Sequence, residues 1–450
     1  MQTFKTYATL NELPFEESKN NLAKLIPDQN ITIIPEYTLE SGVRMKNVPI
    51  AWKSWGKLNE KADNCMVICH ALTGSADVED WWGPLMGPKR AFDATKFFIV
   101  CCNVLGSPYG SASPLTINSE TGDKYGPEFP LVSVRDDVQL HRLVLDYLGV
   151  KQVAICIGGS MGGMQVLEWA QLGQDYVRCI VPIATSGRHS AWGISWGEAQ
   201  RQSIYSDPNY LDGYYTEEAP PVVGLSAARM SALLTYRSRN SFESRFGRKA
   251  AELKSLQRRP SSPGEANRMI HNDGHRASSP PLAEAEKESI NNPSMPQPFV
   301  FSAQSYLRYQ GTKFVNRFDA NCYIALTRKM DSHDISRGKG DYFEVLHSVT
   351  QPALVIGIES DGLFTISEQY ELAEGMANTE MVVIDSPDGH DGFLLEFDQI
   401  NRHILSFIKR VLPEIFNTTT VSEEEVEQTE NLKATKTSLF GEAEVDITQW

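Results

Sequence analysis

The sequence predicts an α/β fold: a mostly parallel, doubly wound sheet with a helical segment inserted late in the chain. Three observations predict it. Short, continuous apolar runs of strand length recur along the chain, helical periodicity fills the gaps between several of them, and one run ends in a glycine-flanked serine that opens a helix. The 450 residues allow up to about three domains, or one large α/β domain carrying insertions.

The runs, in order, are Ile31 to Ile34, Val48 to Trp52, Met66 to Cys69, Phe97 to Cys102, Val153 to Ile157, Ile180 to Ala184, Ala353 to Ile358 and Met381 to Ile384. The first two read as an antiparallel lead-in. The later ones lack polar alternation, as parallel strands covered on both faces do. After the Phe97 run, Val134, Val138, His141, Leu145 and Leu148 recur at helical spacing, with Gly149 where a helix C-terminus wants it. His141 falls on the apolar stripe and reads as a core histidine. A last helix is expected from about Ile400 to Val411.

Composition narrows the function classes. With 41% hydrophobic and 22% charged residues the chain is ordinary globular material, and 42 basic against 57 acidic residues give a net charge of −15. That balance argues against a nucleic-acid or anionic-membrane surface, which needs basic groups to displace counterions. No apolar stretch approaches the ~18 residues of a membrane span. The N-terminal extension, residues 1–30, fits neither a signal peptide nor an Arg-rich transit peptide, so the expected address is the cytoplasm. Seven cysteines without a CxxC pair read as buried free thiols. Residues from about 249 to 298 are rich in Arg, Ser, Pro, Asn and Glu and read as a solvated, at least partly disordered insertion; the acidic tail, residues 416–450, reads as flexible.

The chemistry is expected where the Val153 run meets Gly158-Gly159-Ser160-Met161-Gly162-Gly163-Met164 and a helical stretch follows. A G-x-S-x-G sequence in that context places a serine nucleophile on a strained strand-to-helix turn, where free helix N–H groups meet a developing oxyanion. A phosphate loop would need a Lys-Ser/Thr ending, which is missing, and a dinucleotide site would need an acidic residue after the next strand. A serine hydroxyl needs a base and an orienting carboxylate, which follow in the order Ser, Asp/Glu, His on loops after later strands. Asp361 and His390 each lie just beyond a strand end, one helix and one strand apart; Glu359 and Asp388 are the alternative acids. Backbone N–H groups of Leu72, in His70-Ala71-Leu72-Thr73-Gly74, and of Met161 are the expected oxyanion donors. His70 with Cys65 and Cys69 lacks a second ligand pair, so no metal is expected.

These residues carry a resemblance. His70 to Gly74, Gly158 to Gln165, Ala228-Arg229-Met230 running to Tyr236-Arg237-Ser238, Arg317 to Asn321, Met330 to Asp334 and Gly389-His390-Asp391-Gly392-Phe393-Leu394 resemble the homoserine O-acetyltransferases of the α/β-hydrolase superfamily, the fungal form in particular. The resemblance spans about Ile31 to Leu412. It implies an α/β-hydrolase core from residues 31–186 and 345–415, with a helical lid at 187–344 that holds the insertion. It implies acetylation of Ser160 by acetyl-CoA as co-substrate, with Asp361 and His390 completing a triad. Arg229 and Asp391 would hold the carboxylate and ammonium of L-homoserine, with Tyr236 lining the pocket. No bound cofactor is implied, the product would serve methionine synthesis, and a homodimer through the lid is the implied assembly. Arg188, Arg237, His333 and Asp334 match positions with no role beyond lid packing or pocket lining. Transfer to serine, transfer of succinyl, and a carboxylesterase in which water takes the acyl group are the rival readings.

Overall fold

The computed structural model describes residues 4–8, 12, 20–249, 262–275 and 301–421. Among them the strands are β1 (Lys5–Tyr7), β2 (Asn30–Thr38), β3 (Arg44–Trp55), β4 (Cys65–Cys69), β5 (Phe98–Cys102), β6 (Val153–Gly159), β7 (Ile180–Ile183), β8 (Ala353–Ile358) and β9 (Thr379–Ile384). They form one nine-stranded sheet in the order β1-β2-β3-β5-β4-β6-β7-β8-β9. The lead-in pairs antiparallel up to β5, and all pairings from β5 through β4 to β9 are parallel. Chain order reverses direction at β4, so the crevice at the C-terminal ends of β4 and β6 is where such a sheet binds ligands.

The continuous apolar runs have a plain cause. Cys65, Val67 and Cys69 of β4 face one core cluster with Val100 and Cys156, while Met66 and Ile68 face another with Ile99 and Ile155. Side chains alternate across the sheet, and both faces are dry. All seven cysteines are free and buried.

The helices are α1 (Val78–Trp82), α2 (Val134–Tyr147), α3 (Met161–Ala170), α4 (Ala191–Tyr205), α5 (Val222–Tyr236), α6 (Arg239–Arg245), α7 (Pro263–His271), α8 (Ser302–Val315), α9 (Ala320–Asp331), α10 (Tyr342–His347), α11 (Ile366–Gly375), α12 (Gly392–Leu395), α13 (Phe397–Val411) and α14 (Pro413–Phe416). The expected helix with His141 is α2, opened by a capping box of Ser133 and Asp136. His141 is buried in it, its Nε2 bonded to the Asn103 carbonyl at 3.3 Å. No described helix is long and apolar enough to cross a membrane.

Between β7 and β8 the described chain is helical, α4 to α10. Its entry and exit are tied together: His189 N–H donates to the His333 carbonyl at 3.0 Å and Ile335 N–H to the Gly187 carbonyl at 2.9 Å. His333 is buried with its Nε2 bonded to the Ser186 carbonyl, at 3.1 Å. Arg188 bridges to Asp334 along the backbone, so these sequence-matched residues form the stem of this helical segment.

The structure adds detail at three places. The lead-in strands are much longer than their apolar cores, because β2 and β3 keep pairing through Glu36↔Lys46 to Thr38↔Arg44, where polar residues face outward. Within the N-terminal extension, Lys5–Tyr7 pair with β2 as strand β1. Within the insertion, described residues 262–275 form helix α7: Ser262 caps the Glu265 N–H, Pro263 takes the first turn, and Asp273 pairs with Arg308 of α8 at 2.8 Å. The S-x-x-E pattern at Ser262 and Glu265 was the legible signal. The rest of the insertion, and the acidic tail beyond residue 421, lie outside the described residues.

Candidate active site

Ser160 follows β6 and precedes α3 with φ 59° and ψ −126°, a strained conformation for a residue with a side chain. The turn closes this tightly only with glycines. A Cβ on Gly162 would lie 2.1 Å from the Cys69 carbonyl oxygen, and one on Gly158 would lie 2.6 Å from the Gly162 carbonyl oxygen. The geometry lifts the Ser160 side chain off the sheet toward the crevice.

The structure brings Ser160, His390 and Asp361 into one relay. Ser160 Oγ is 2.9 Å from His390 Nε2, and His390 Nδ1 is 2.7 Å from Asp361 Oδ2. Asp361 Oδ1 accepts from the N–H groups of Leu363 at 2.8 Å and Phe364 at 3.0 Å, so the carboxylate cannot turn. With the carboxylate on Nδ1, the imidazole proton sits there and Nε2 is left to accept from the serine. The rings of Phe364 and Phe393, at centroid distances of 5.2 and 5.1 Å, hold the imidazole between them.

The alternative acids sit elsewhere. Glu359 is exposed. Asp388 receives Arg237 Nη1 at 2.9 Å, Arg245 Nη2 at 3.3 Å and the Ser241 hydroxyl at 2.5 Å. His70 has both ring nitrogens engaged: Nδ1–H donates to the Ala71 carbonyl at 2.8 Å, and Nε2 accepts from Val104 N–H at 3.1 Å. It shapes the loop carrying Leu72, and burial pushes its pKa down to about 4, keeping it neutral. Among the described residues no cluster of three His, Cys, Asp or Glu could hold a metal.

A cavity opens over the serine, lined there by Leu72, Ser160, Tyr236, His390 and Asp391. Its far end runs between α4 and α9, past His189, Trp196, Gly197 and Asp331. Leu72 lines this cavity with Ser160, and Met161 follows Ser160 in the chain.

Two expected binding residues behave differently. Asp391 lines the cavity and is buried, and its Oδ2 lies 2.7 Å from Arg237 Nε. Arg229 is 1% exposed and does not itself line the cavity; its guanidinium carbon lies 5.5 Å from the ring centre of Tyr236, which does, and 4.9 Å from that of Phe314. Sequence reasoning gave Arg237 no role beyond packing or lining. Its place at the end of α5, three-dimensionally against the His390 loop, has no signal in linear spacing.

Comparison with known proteins agrees with this geometry. A family model described as alpha/beta hydrolase fold matches residues 64–397. The homoserine O-acetyltransferase of Emericella nidulans is 55% identical over 96% of this chain and 97% of its own length. That of Saccharomyces cerevisiae is 54% identical over 98% of each. Among solved structures, a homoserine O-acetyltransferase from Bacillus anthracis superposes with a TM-score of 0.70 at 20% identity, covering 94% of this chain and all of that one, a likeness of fold. The chain therefore belongs to the homoserine O-acetyltransferase family, within the α/β-hydrolase fold.

Proposed function

We propose that this protein is an acyltransferase that moves an acetyl group from acetyl-CoA to the hydroxyl of L-homoserine, through an acetyl-enzyme on Ser160. The observation that carries the reading is the Ser160, His390, Asp361 relay opening onto a cavity that also presents the buried carboxylate of Asp391. His390 Nε2 takes the Ser160 proton as Oγ attacks the thioester carbonyl. The tetrahedral oxygen faces the N–H groups of Leu72 and Met161. On collapse the C–S bond breaks and His390 returns its proton to the CoA sulfur. The homoserine hydroxyl then gives its proton to His390 and attacks the acetyl carbonyl, and the proton passes to Ser160 as the ester leaves.

Homoserine is a zwitterion. Asp391, on the cavity wall, supplies an anion for its ammonium, and Arg229, behind Tyr236, adds positive charge near that wall that favours its carboxylate there. Seven buried free thiols support a reducing, cytoplasmic setting, and the O-acetyl ester of homoserine would serve methionine synthesis. The lid leaves Trp192, Leu211, Tyr214, Val223 and Leu234 exposed, apolar surface that fits pairing of two lids in a homodimer, which sedimentation would test. The direct test of function is thiol release from acetyl-CoA with homoserine, with serine and with neither. Release that needs homoserine supports the reading; equal release without acceptor indicates a hydrolase, and preference for serine redirects the acceptor.

A further inference from the structure

Ser160 and Met161 share one peptide group. In a trans peptide the carbonyl of the first residue and the N–H of the second point to opposite sides of one plane. Whatever holds the Ser160 carbonyl therefore aims the Met161 N–H. That carbonyl is held from outside its own segment: Thr185 Oγ1 donates to it at 2.7 Å, beside the helical bond from Met164 N–H at 3.2 Å.

Thr185 lies just after β7 and is fully buried. A threonine hydroxyl ordinarily bonds to a carbonyl of its own helix or turn; this one reaches across to another strand's end. It is itself clamped, because Gln369 Nε2 donates to the Thr185 carbonyl at 2.6 Å and Thr185 N–H donates to Gln369 Oε1 at 3.2 Å. Gln369 is buried in α11, the helix that follows the Asp361 loop. The approach needs Gly163, where a Cβ would lie 2.5 Å from that of Thr185.

We propose that Thr185 is a positioning residue for the oxyanion site: its hydroxyl anchors the carbonyl of the Ser160–Met161 peptide so that the Met161 N–H faces the tetrahedral oxygen, with Gln369 holding Thr185 in place. The proposal rests on the reading of Ser160 as the acylated nucleophile and Met161 as an oxyanion donor. Two effects follow. The peptide plane is kept from rotating, and a hydrogen bond accepted by its carbonyl polarises its N–H. An oxyanion forms when Ser160 is acetylated and again when the acetyl group leaves, so both half-reactions depend on Thr185.

The test compares Thr185→Val, which keeps the shape and loses the hydroxyl, with Thr185→Ser, which keeps the hydroxyl. Single-turnover acetylation and transfer to homoserine are measured on each, with inhibition by trifluoroacetone, which adds to the serine as an oxyanion-bearing adduct. Thr185→Val is expected to slow both half-reactions by about tenfold, less than the 10²–10³ of losing a direct donor, and to weaken trifluoroacetone by a similar factor. The KM for homoserine stays unchanged, and Thr185→Ser restores the rates. If Thr185→Val does not fold, Thr185→Cys, with a weak S–H donor, takes its place against Thr185→Ser. Wild-type rates and inhibition in Thr185→Val, or a folded Thr185→Ser as slow as Thr185→Val, overturn the proposal. Failure to acetylate Ser160 in the unmodified protein instead overturns the underlying reading.

Discussion

Arg237 Nε lies 2.7 Å from Asp391 Oδ2, with both side chains 3% exposed. The same guanidinium reaches Asp388 Oδ1 at 2.9 Å. One lid arginine thus bridges carboxylates on both sides of His390, and the Ser238 hydroxyl adds a bond to the Pro387 carbonyl. The C-terminal end of α5 is stapled to the loop that carries His390.

Arg237→Met should therefore leave the buried Asp391 carboxylate without this cation, while Asp388 keeps Arg245, at a cost of about 3–5 kcal/mol. Urea unfolding measures it. Arg237→Lys, which keeps charge but not the two-sided reach, should fall between. Unchanged stability in Arg237→Met would show that the bridge is incidental.

Acceptor recognition separates from acyl chemistry. Asp391→Asn and Arg229→Ala should acetylate Ser160 at near-normal rate yet lose about thirty- to several-thousand-fold in kcat/KM for homoserine, as expected for a desolvated charge pair worth ~2–5 kcal/mol. His390→Ala should block both steps. Single-turnover acetylation beside steady-state transfer decides. Equal slowing of both would make Arg229 and Asp391 supports of the triad or the lid, an outcome to which Arg229, set behind Tyr236, is the more exposed of the two.

Lys329 on α9 and Asp137 on α2 form a fully buried pair at 2.6 Å, with Lys329 also donating to the Leu105 carbonyl at 2.7 Å. It pins α9 to α2. Lys329→Met should cost about 3–5 kcal/mol, and adding Asp137→Leu should recover much of that, because the second change removes the stranded carboxylate. A denaturation cycle on the two single variants and the double variant tests it; additive losses would contradict it.

Acid should destabilise the protein well above the carboxylate range. Burial lowers His70 and His189 to about 4, and His141 and His333 to about 3, against about 6.5 in the unfolded chain. These histidines are neutral when folded, so the unfolded state binds more protons as pH falls below 6.5, and stability present above that pH is lost. Asp137 and Glu368, raised by burial to about 6 and about 7, take up protons in the folded state and offset part of this. The four histidines outnumber the two raised carboxyls, so stability should fall as pH drops from 6 to 5. Urea midpoints across that interval measure it, and a flat profile would contradict it.

The sheet was legible because strands buried on both faces read as unbroken apolar runs, and the serine because its turn needs glycines at fixed positions. Asp361 and His390 followed from strand ends. What sequence could not supply depends on side chains meeting across the fold. The Arg237 bridge and the Thr185 bond to Ser160 join residues far apart in the chain, and nothing in their local patterns marks them. Strand β1 and the outer halves of β2 and β3 were hidden by polar residues on a solvated face, and α7 by a composition that suggested a solvated segment despite its capping signal.

The most direct test of the account is the mass of the protein after exposure to acetyl-CoA without an acceptor. A single acetyl group should appear on the peptide containing Ser160, vanish on adding homoserine with formation of its O-acetyl ester, and be absent in Ser160→Ala. An acetyl group elsewhere, on Cys156 for example, or transfer that persists in Ser160→Ala, would contradict it.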